Sequence, residues 1–195
     1  LLLLAPGKTL HTECNRIVRY IEEIKPFVIS VNFIDNKWKI DACFVNNRKR
    51  IETIEMDDRP NRDIKLIATS NLWSKRKNIA YVDYYSYINQ DEMVFDNVGL
   101  MLLKLLEKCG ISEVTLAGFD GFKTKNDENY YDSNLILCIN ENNVEEKTNR
   151  ITKQLFEFSK KMRISFLTSS IYEHRLRLLK FPKGSVDKSY QLEDI

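Results

Sequence analysis

Five short apolar runs in this chain each end in a small cluster of Gly, Ser, Thr, Asn or Asp. Leu1–Leu4 runs into Ala5-Pro6-Gly7-Lys8-Thr9, Val28–Val31 into Asn32, and Ala42–Val45 into Asn46-Asn47. Leu66–Ala68 runs into Thr69-Ser70-Asn71, and Val114–Ala117 into Gly118-Phe119-Asp120-Gly121. Strands covered on both faces by helices read as unbroken apolar runs. In open parallel sheets, ligands lie in the crevice outside the carboxyl ends of the strands. The pattern therefore locates the chemistry without naming it.

Between these runs the hydrophobic spacing changes to the helical period. A helix capped by Thr9 or Thr12 is expected to run to Ile24, with Ile17, Val18, Ile21 and Ile24 on one face, and Pro26 ends it. Further helices are expected at Asn47–Met56, Val94–Cys109, Glu145–Met162 and Ser169–Leu179, with Gly110 closing the helix at Val94–Cys109. Additional strands are read at Ile79–Val82 and Ile164–Leu167. The tyrosine-rich stretch Asp83–Asp91 and the polar stretch Lys123–Asn134 are expected to be irregular. Strands alternating with helices argue for a three-layer α/β/α domain with a mostly parallel sheet. With 195 residues we expect one domain over residues 1–181 and a polar tail over 182–195.

The net charge is +2, which supplies no strong general pull toward nucleic acid or a membrane surface. The basic runs Arg48-Lys49-Arg50 and Lys75-Arg76-Lys77 read as solvated charge. Leu1–Ala5 is too short for a membrane span. The four cysteines stand apart with no C-x-x-C, and the histidines are His11 and His174, so neither a zinc site nor another metal or cofactor is expected. Isolated cysteines read as free thiols of a reducing, cytoplasmic compartment. The chain opens on Leu1, directly in a core strand and without Met, and is expected to be a piece of a longer polypeptide.

The candidate ligand residues follow from the strand ends. Gly7, Lys8 and Thr9 form a strand–Gly–helix junction whose backbone N–H groups suit an anion, although Walker A and G-x-G-x-x-G spacings are absent. Asn32, Asn46, Ser70 and Asn71 offer donors and acceptors for a base, ribose or sugar. Asn97 and Gly99 open the long helix, and Asp96 is the simplest cap for it. Asp120 places a carboxylate at the sheet edge, suited to a hydroxyl. Arg48 and Arg50 can neutralise phosphate.

In their order, these junctions resemble bacterial sialyltransferases acting on lipo-oligosaccharides. Gly7-Lys8-Thr9-Leu10 stands where that family has a Gly-Pro-Ser-Leu turn, and Asn32-Phe33, Asn46, Ser70-Asn71, Gly99 and Gly118-Phe119-Asp120 follow in the family's sequence. The resemblance implies that Asn32, Asn46, Asn97 and Gly99 contact a nucleotide. Pro6 replaces the family's Asn before the first Gly, and residues 121–163 hold no His where the family keeps its general base. On that loop Asp127, Glu128, Tyr130 and Tyr131 are the candidates to take the base's place.

The segments Ala-Pro-Gly-Lys-Thr, Val-Ile-Ser-Val-Asn-Phe-Ile, Phe-Val-Asn-Asn-Arg-Lys-Arg and Leu-Ala-Gly-Phe-Asp-Gly-Phe also resemble the Rossmann-like C-terminal domain of putative bacterial aldolases. Those proteins carry an N-terminal TIM barrel of the hydroxymethylglutaryl-lyase type, and the resemblance implies such a barrel as partner within one polypeptide. Together the readings give an accessory nucleotide or nucleotide-sugar-binding domain of a 4-hydroxy-2-oxovalerate aldolase-like protein, with no catalytic residue of its own. A sialyltransferase-like enzyme and a ligand-free structural module are the alternatives.

Overall fold

In the computed structural model, residues 1–56, 64–123, 129–132 and 143–180 are described. Among the described residues, seven parallel strands form one sheet in the order β5-β4-β3-β2-β1-β6-β7. They are β1 (Leu2–Leu4), β2 (Val28–Val31), β3 (Ala42–Val45), β4 (Lys65–Thr69), β5 (Ile79–Val82), β6 (Glu113–Ala117) and β7 (Arg163–Phe166). Every strand expected from the apolar runs is present. The helices are α1 (Thr9–Thr12), α2 (Cys14–Ile24), α3 (Arg48–Met56), α4 (Tyr84–Tyr87), α5 (Val98–Lys108), α6 (Val144–Ser159) and α7 (Ile171–Lys180). This is a three-layer Rossmann-like α/β/α fold.

Strand alternation divides the core between two layers. Leu3, Ile29, Phe44 and Leu116 pack with Leu102 and Leu103 of α5, Leu155 of α6 and Tyr172 of α7. Leu2, Leu4 and Val28 face the other way, onto Leu10 and Ile17 of α1 and α2, while Cys43, Val45 and Leu66 meet Ile51 and Ile54 of α3. Each fully buried Leu contributes roughly 1.5–3 kcal/mol, so the central strands anchor the site above them.

Several elements depart from the sequence reading, each for a local reason. The first helix is broken at Glu13 into α1 and α2, and Lys25 ends α2 in the left-handed conformation. The long helix starts at Val98 rather than Val94. Its cap is Asn97, whose side chain accepts from the Leu100 N–H at 3.1 Å, and Asp96 is not the cap. The stretch after β5 contains a short helix, α4, because Asp83 accepts from the Ser86 N–H at 2.9 Å. The β2–β3 and β4–β5 connections contain no helix. Between β2 and β3, Phe33, Trp38 and Ile40 fill the helix's place as buried side chains. The expected tail over 182–195 lies outside the described residues.

Candidate functional site

The strand order reverses at β1: β2 to β5 step away on one side, β6 and β7 on the other. The crevice expected at such a switch point is present at the carboxyl ends of β1 and β6. It is a cavity of about 400 Å³, within the usual size of small-ligand sites of roughly 300–1,000 Å³. Its floor is the Ala5-Pro6-Gly7 and Gly118-Phe119-Asp120-Gly121 turns, and its walls come from α3, α5, α6 and α7.

The two turns are fastened to each other. The Ala5 N–H donates to Ala117 O at 2.8 Å and the Gly7 N–H to Gly118 O at 3.0 Å. A Cβ on Gly7 would fall well inside contact of that Gly118 oxygen and 2.6 Å from Asp120 Cγ, so only glycine fits. The Thr9 N–H donates to Asp120 Oδ2 at 2.8 Å and the Thr9 hydroxyl to Oδ1. The nearby Lys8 backbone N–H also favours the ionised form of this carboxylate. Thr168, at the end of β7, stands 2.9 Å from the Thr9 hydroxyl and accepts from the Gly118 N–H at 2.9 Å. Three strand ends thus meet at the Thr9 hydroxyl, which touches both Asp120 and Thr168. Burial raises the Asp120 carboxyl above its ordinary value, and the donors from Thr9 and Lys8 work against that rise.

The expected anion cradle at Gly7–Thr9 is therefore engaged by the chain's own Asp120. Gly7 and Asp120 line the cavity, whereas Lys8 and Thr9 do not.

Asn32 and Asn46 form a second clasp. Asn32 Nδ2 donates to Asn46 Oδ1 at 3.0 Å, and the Asn46 N–H donates to Asn32 Oδ1 at 3.2 Å. Asn46 Nδ2 also donates to the Asp96 carbonyl at 2.7 Å, tying β3 to the start of α5. Asn32 adopts φ +62°, a conformation Asn tolerates better than most residues. Both asparagines line the cavity, as do Asn97 and Gly99. Gly99 is needed for packing: a Cβ there would lie 2.5 Å from the buried Phe119 ring.

Ser70 and Asn71 do not join them. β4 stands three strands from β1, a separation of roughly 14 Å at the usual strand spacing. Ser70 is exposed, and its hydroxyl accepts from the Tyr84 N–H at 3.0 Å.

Comparison with protein-family models, with curated proteins and with solved structures finds no match to this chain. What the site can do must come from its own residues. Among the described residues, the cations Arg50 and Lys147 line it. Arg50, read from sequence as part of a solvated run, is only 4% exposed. It lies one turn before Ile54 on the inner face of α3, a spacing that could have revealed it. Burial lowers its pKa, opposed by nearby Tyr130 and Asp132. Lys147 lies in the first turn of α6, where the polar Glu145-Glu146-Lys147 run gave no signal. Arg48 instead points outward and pairs with Glu52 at 2.9 Å.

Phe119, Phe122 and Tyr172 supply an aromatic wall. Tyr84, Tyr85 and Tyr87 are not among the described residues lining the cavity: Tyr84 stacks edge-on with Tyr85 and Phe95, and Tyr87 lies under Lys108. Tyr130 does line it, and burial raises its phenol pKa. Asp127 and Glu128 lie outside the described residues. Among the described residues, no group of three or more His, Cys, Asp or Glu side chains converges, and no helix is long and apolar enough to cross a membrane.

Proposed function

We propose that this chain is an accessory recognition domain that binds a nucleotide or nucleotide sugar at the β1–β6 switch point, as part of an aldolase-like polypeptide, and performs no bond chemistry there. The observation that carries this reading is the composition of one cavity. An aromatic wall of Phe119, Phe122 and Tyr172 faces amides from Asn32, Asn46 and Asn129, with cations Arg50 and Lys147 in the same lining. A nucleotide combines a flat apolar face, hydrogen-bonding edges and an anion, and needs those three kinds of wall. The phenol of Tyr130 is held in its protonated form by burial, which suits it to donate a hydrogen bond and not to act as a base.

Thermal denaturation with a panel of nucleotides and nucleotide sugars tests the reading. A ligand at 100 times its Kd stabilises by about 2.7 kcal/mol, a rise of roughly 5–10 °C for a domain of this size. The expected result is such a rise with at least one nucleotide, lost when Asn46 or Arg50 is changed to Ala in a folded variant. A flat response across the panel would remove the proposal. Turnover of a cytidine-activated sialic acid onto a galactoside acceptor would replace it with the transferase alternative.

A further inference from the structure

Lys147 is the least satisfied charge in the cavity. Its Nζ stands 4.5 Å from the centroid of the Phe122 ring. Among the described residues no carboxylate oxygen lies within ion-pairing distance of it. An ammonium carries three donors, and a ring face satisfies them only in part. Desolvation lowers the Lys147 pKa, and Asp96 at the start of α5 opposes the effect without pairing. A half-buried cation without an anion is costly, and an arriving anion relieves that cost.

Asp120 and Arg50 in the same lining are already engaged. Asp120 spends both carboxylate oxygens on Thr9. Arg50 has Tyr130 and Asp132 beside it. Asp96 is exposed at the rim. Arg50 comes from α3 and Lys147 from α6, on opposite layers of the fold, so a group held between them is attracted from both sides of the sheet edge.

We propose that Lys147 reads the phosphate of the ligand and discriminates phosphorylated from unphosphorylated forms, leaving the Phe122 ring face for the phosphate oxygens as the ligand enters. The proposal rests on the nucleotide reading of the same cavity. It differs from a packing role for the lysine stem, because Lys147→Met keeps the stem and removes only the charge.

The test titrates each of four ribonucleosides, its 5′-monophosphate, and inorganic pyrophosphate into the purified wild-type chain, Lys147→Met and Lys147→Arg, all first shown to be folded. For the wild type, a monophosphate is expected to bind at least tenfold more tightly than its nucleoside. In Lys147→Met that preference should shrink severalfold to the part Arg50 supplies, with nucleoside affinity unchanged, and Lys147→Arg should restore most of it. Equal losses for nucleoside and nucleotide in Lys147→Met, or no loss for either, would overturn the assignment. Should no nucleoside or nucleotide bind the wild type, the nucleotide reading fails, and pyrophosphate still decides Lys147. Protection of the wild type but not of Lys147→Met by pyrophosphate supports the assignment, and no protection of the wild type sinks it.

Discussion

The carboxylate of Asp120 sits on the turn that begins α1: its Oδ2 accepts from the Thr9 N–H at 2.8 Å, and its Oδ1 from the Thr9 hydroxyl. A helix start next to a glycine invites an anion, and here the fold supplies its own. The contact joins residues 111 positions apart and closes the floor of the cavity between β1 and β6.

Two variants separate the parts of this contact. Thr9→Val removes the hydroxyl donor to a charged acceptor and should cost about 1.5–3 kcal/mol in denaturant unfolding at pH 7. The pH dependence has a definite sign. Burial holds the Asp120 pKa above its unfolded value, so the native state keeps a proton that the unfolded chain has released. That contribution is fully present below about pH 4 and is lost as pH rises through the native value. Asp120→Asn, which has no proton to lose, should show a smaller decline in stability over this interval. An identical slope in wild type and Asp120→Asn would contradict the assignment.

Gly7 and Gly110 are both glycines at turns, but their surroundings differ. Gly7→Ala would drive a methyl group into the Gly118 carbonyl and Asp120, backbone and side chain that cannot both retreat. Gly110 has φ +76° and open space around it, so Gly110→Ala meets conformational cost alone. We expect losses of about 3 kcal/mol for Gly7→Ala and about 1 kcal/mol for Gly110→Ala, measured as paired unfolding free energies. The reverse order would show that the close approach of the two turns is not rigid.

Trp38 takes the place of a crossover helix. Its ring is 5% exposed and meets Phe33 and Tyr131 edge-on, with centroids 6.4 Å and 5.9 Å away. Its Nε1 is buried with no hydrogen-bond partner among the described residues. Trp38→Ala should cost about 3–5 kcal/mol. Trp38→Phe removes an unsatisfied donor along with part of the ring, and the two effects offset, so its loss should be under about 1.5 kcal/mol. Chemical denaturation of both variants decides whether the connection depends on ring volume.

Cys43, on β3, is fully buried beneath α3, and burial pushes its thiol up to about 11. At pH 8 only about one part in a thousand would be thiolate. Cys109 is exposed and Cys14 partly so. Alkylation followed by peptide mass spectrometry should modify Cys109 before Cys14 and leave Cys43 unmodified until the chain unfolds. Early labelling of Cys43 in the folded state would refute the burial argument.

The strands were legible because both faces of each central strand are covered, and an unbroken apolar run such as Leu2–Leu4 or Ala42–Val45 records that locally. The amphipathic helices were legible for the same reason, through the spacing of residues such as Ile17 and Ile21 or Leu102 and Leu106. The polar strand ends also pointed to the edge of the sheet at which the cavity lies. Which of those ends meet was a different matter. It depends on strand order, which brings Gly7, Asn32, Asn46, Gly99 and Asp120 to one cavity and leaves Ser70 and Asn71 three strands from β1. Local pattern cannot carry this information, because neighbours in the site are joined through the packing of distant segments. The same holds for the inward turn of Arg50 within a basic run, for the approach of Lys147 from α6, and for the capture of the Gly7–Thr9 turn by Asp120. Residue type and spacing determined the elements and their polar ends; the tertiary packing decided which polar groups satisfy one another and which still face the cavity.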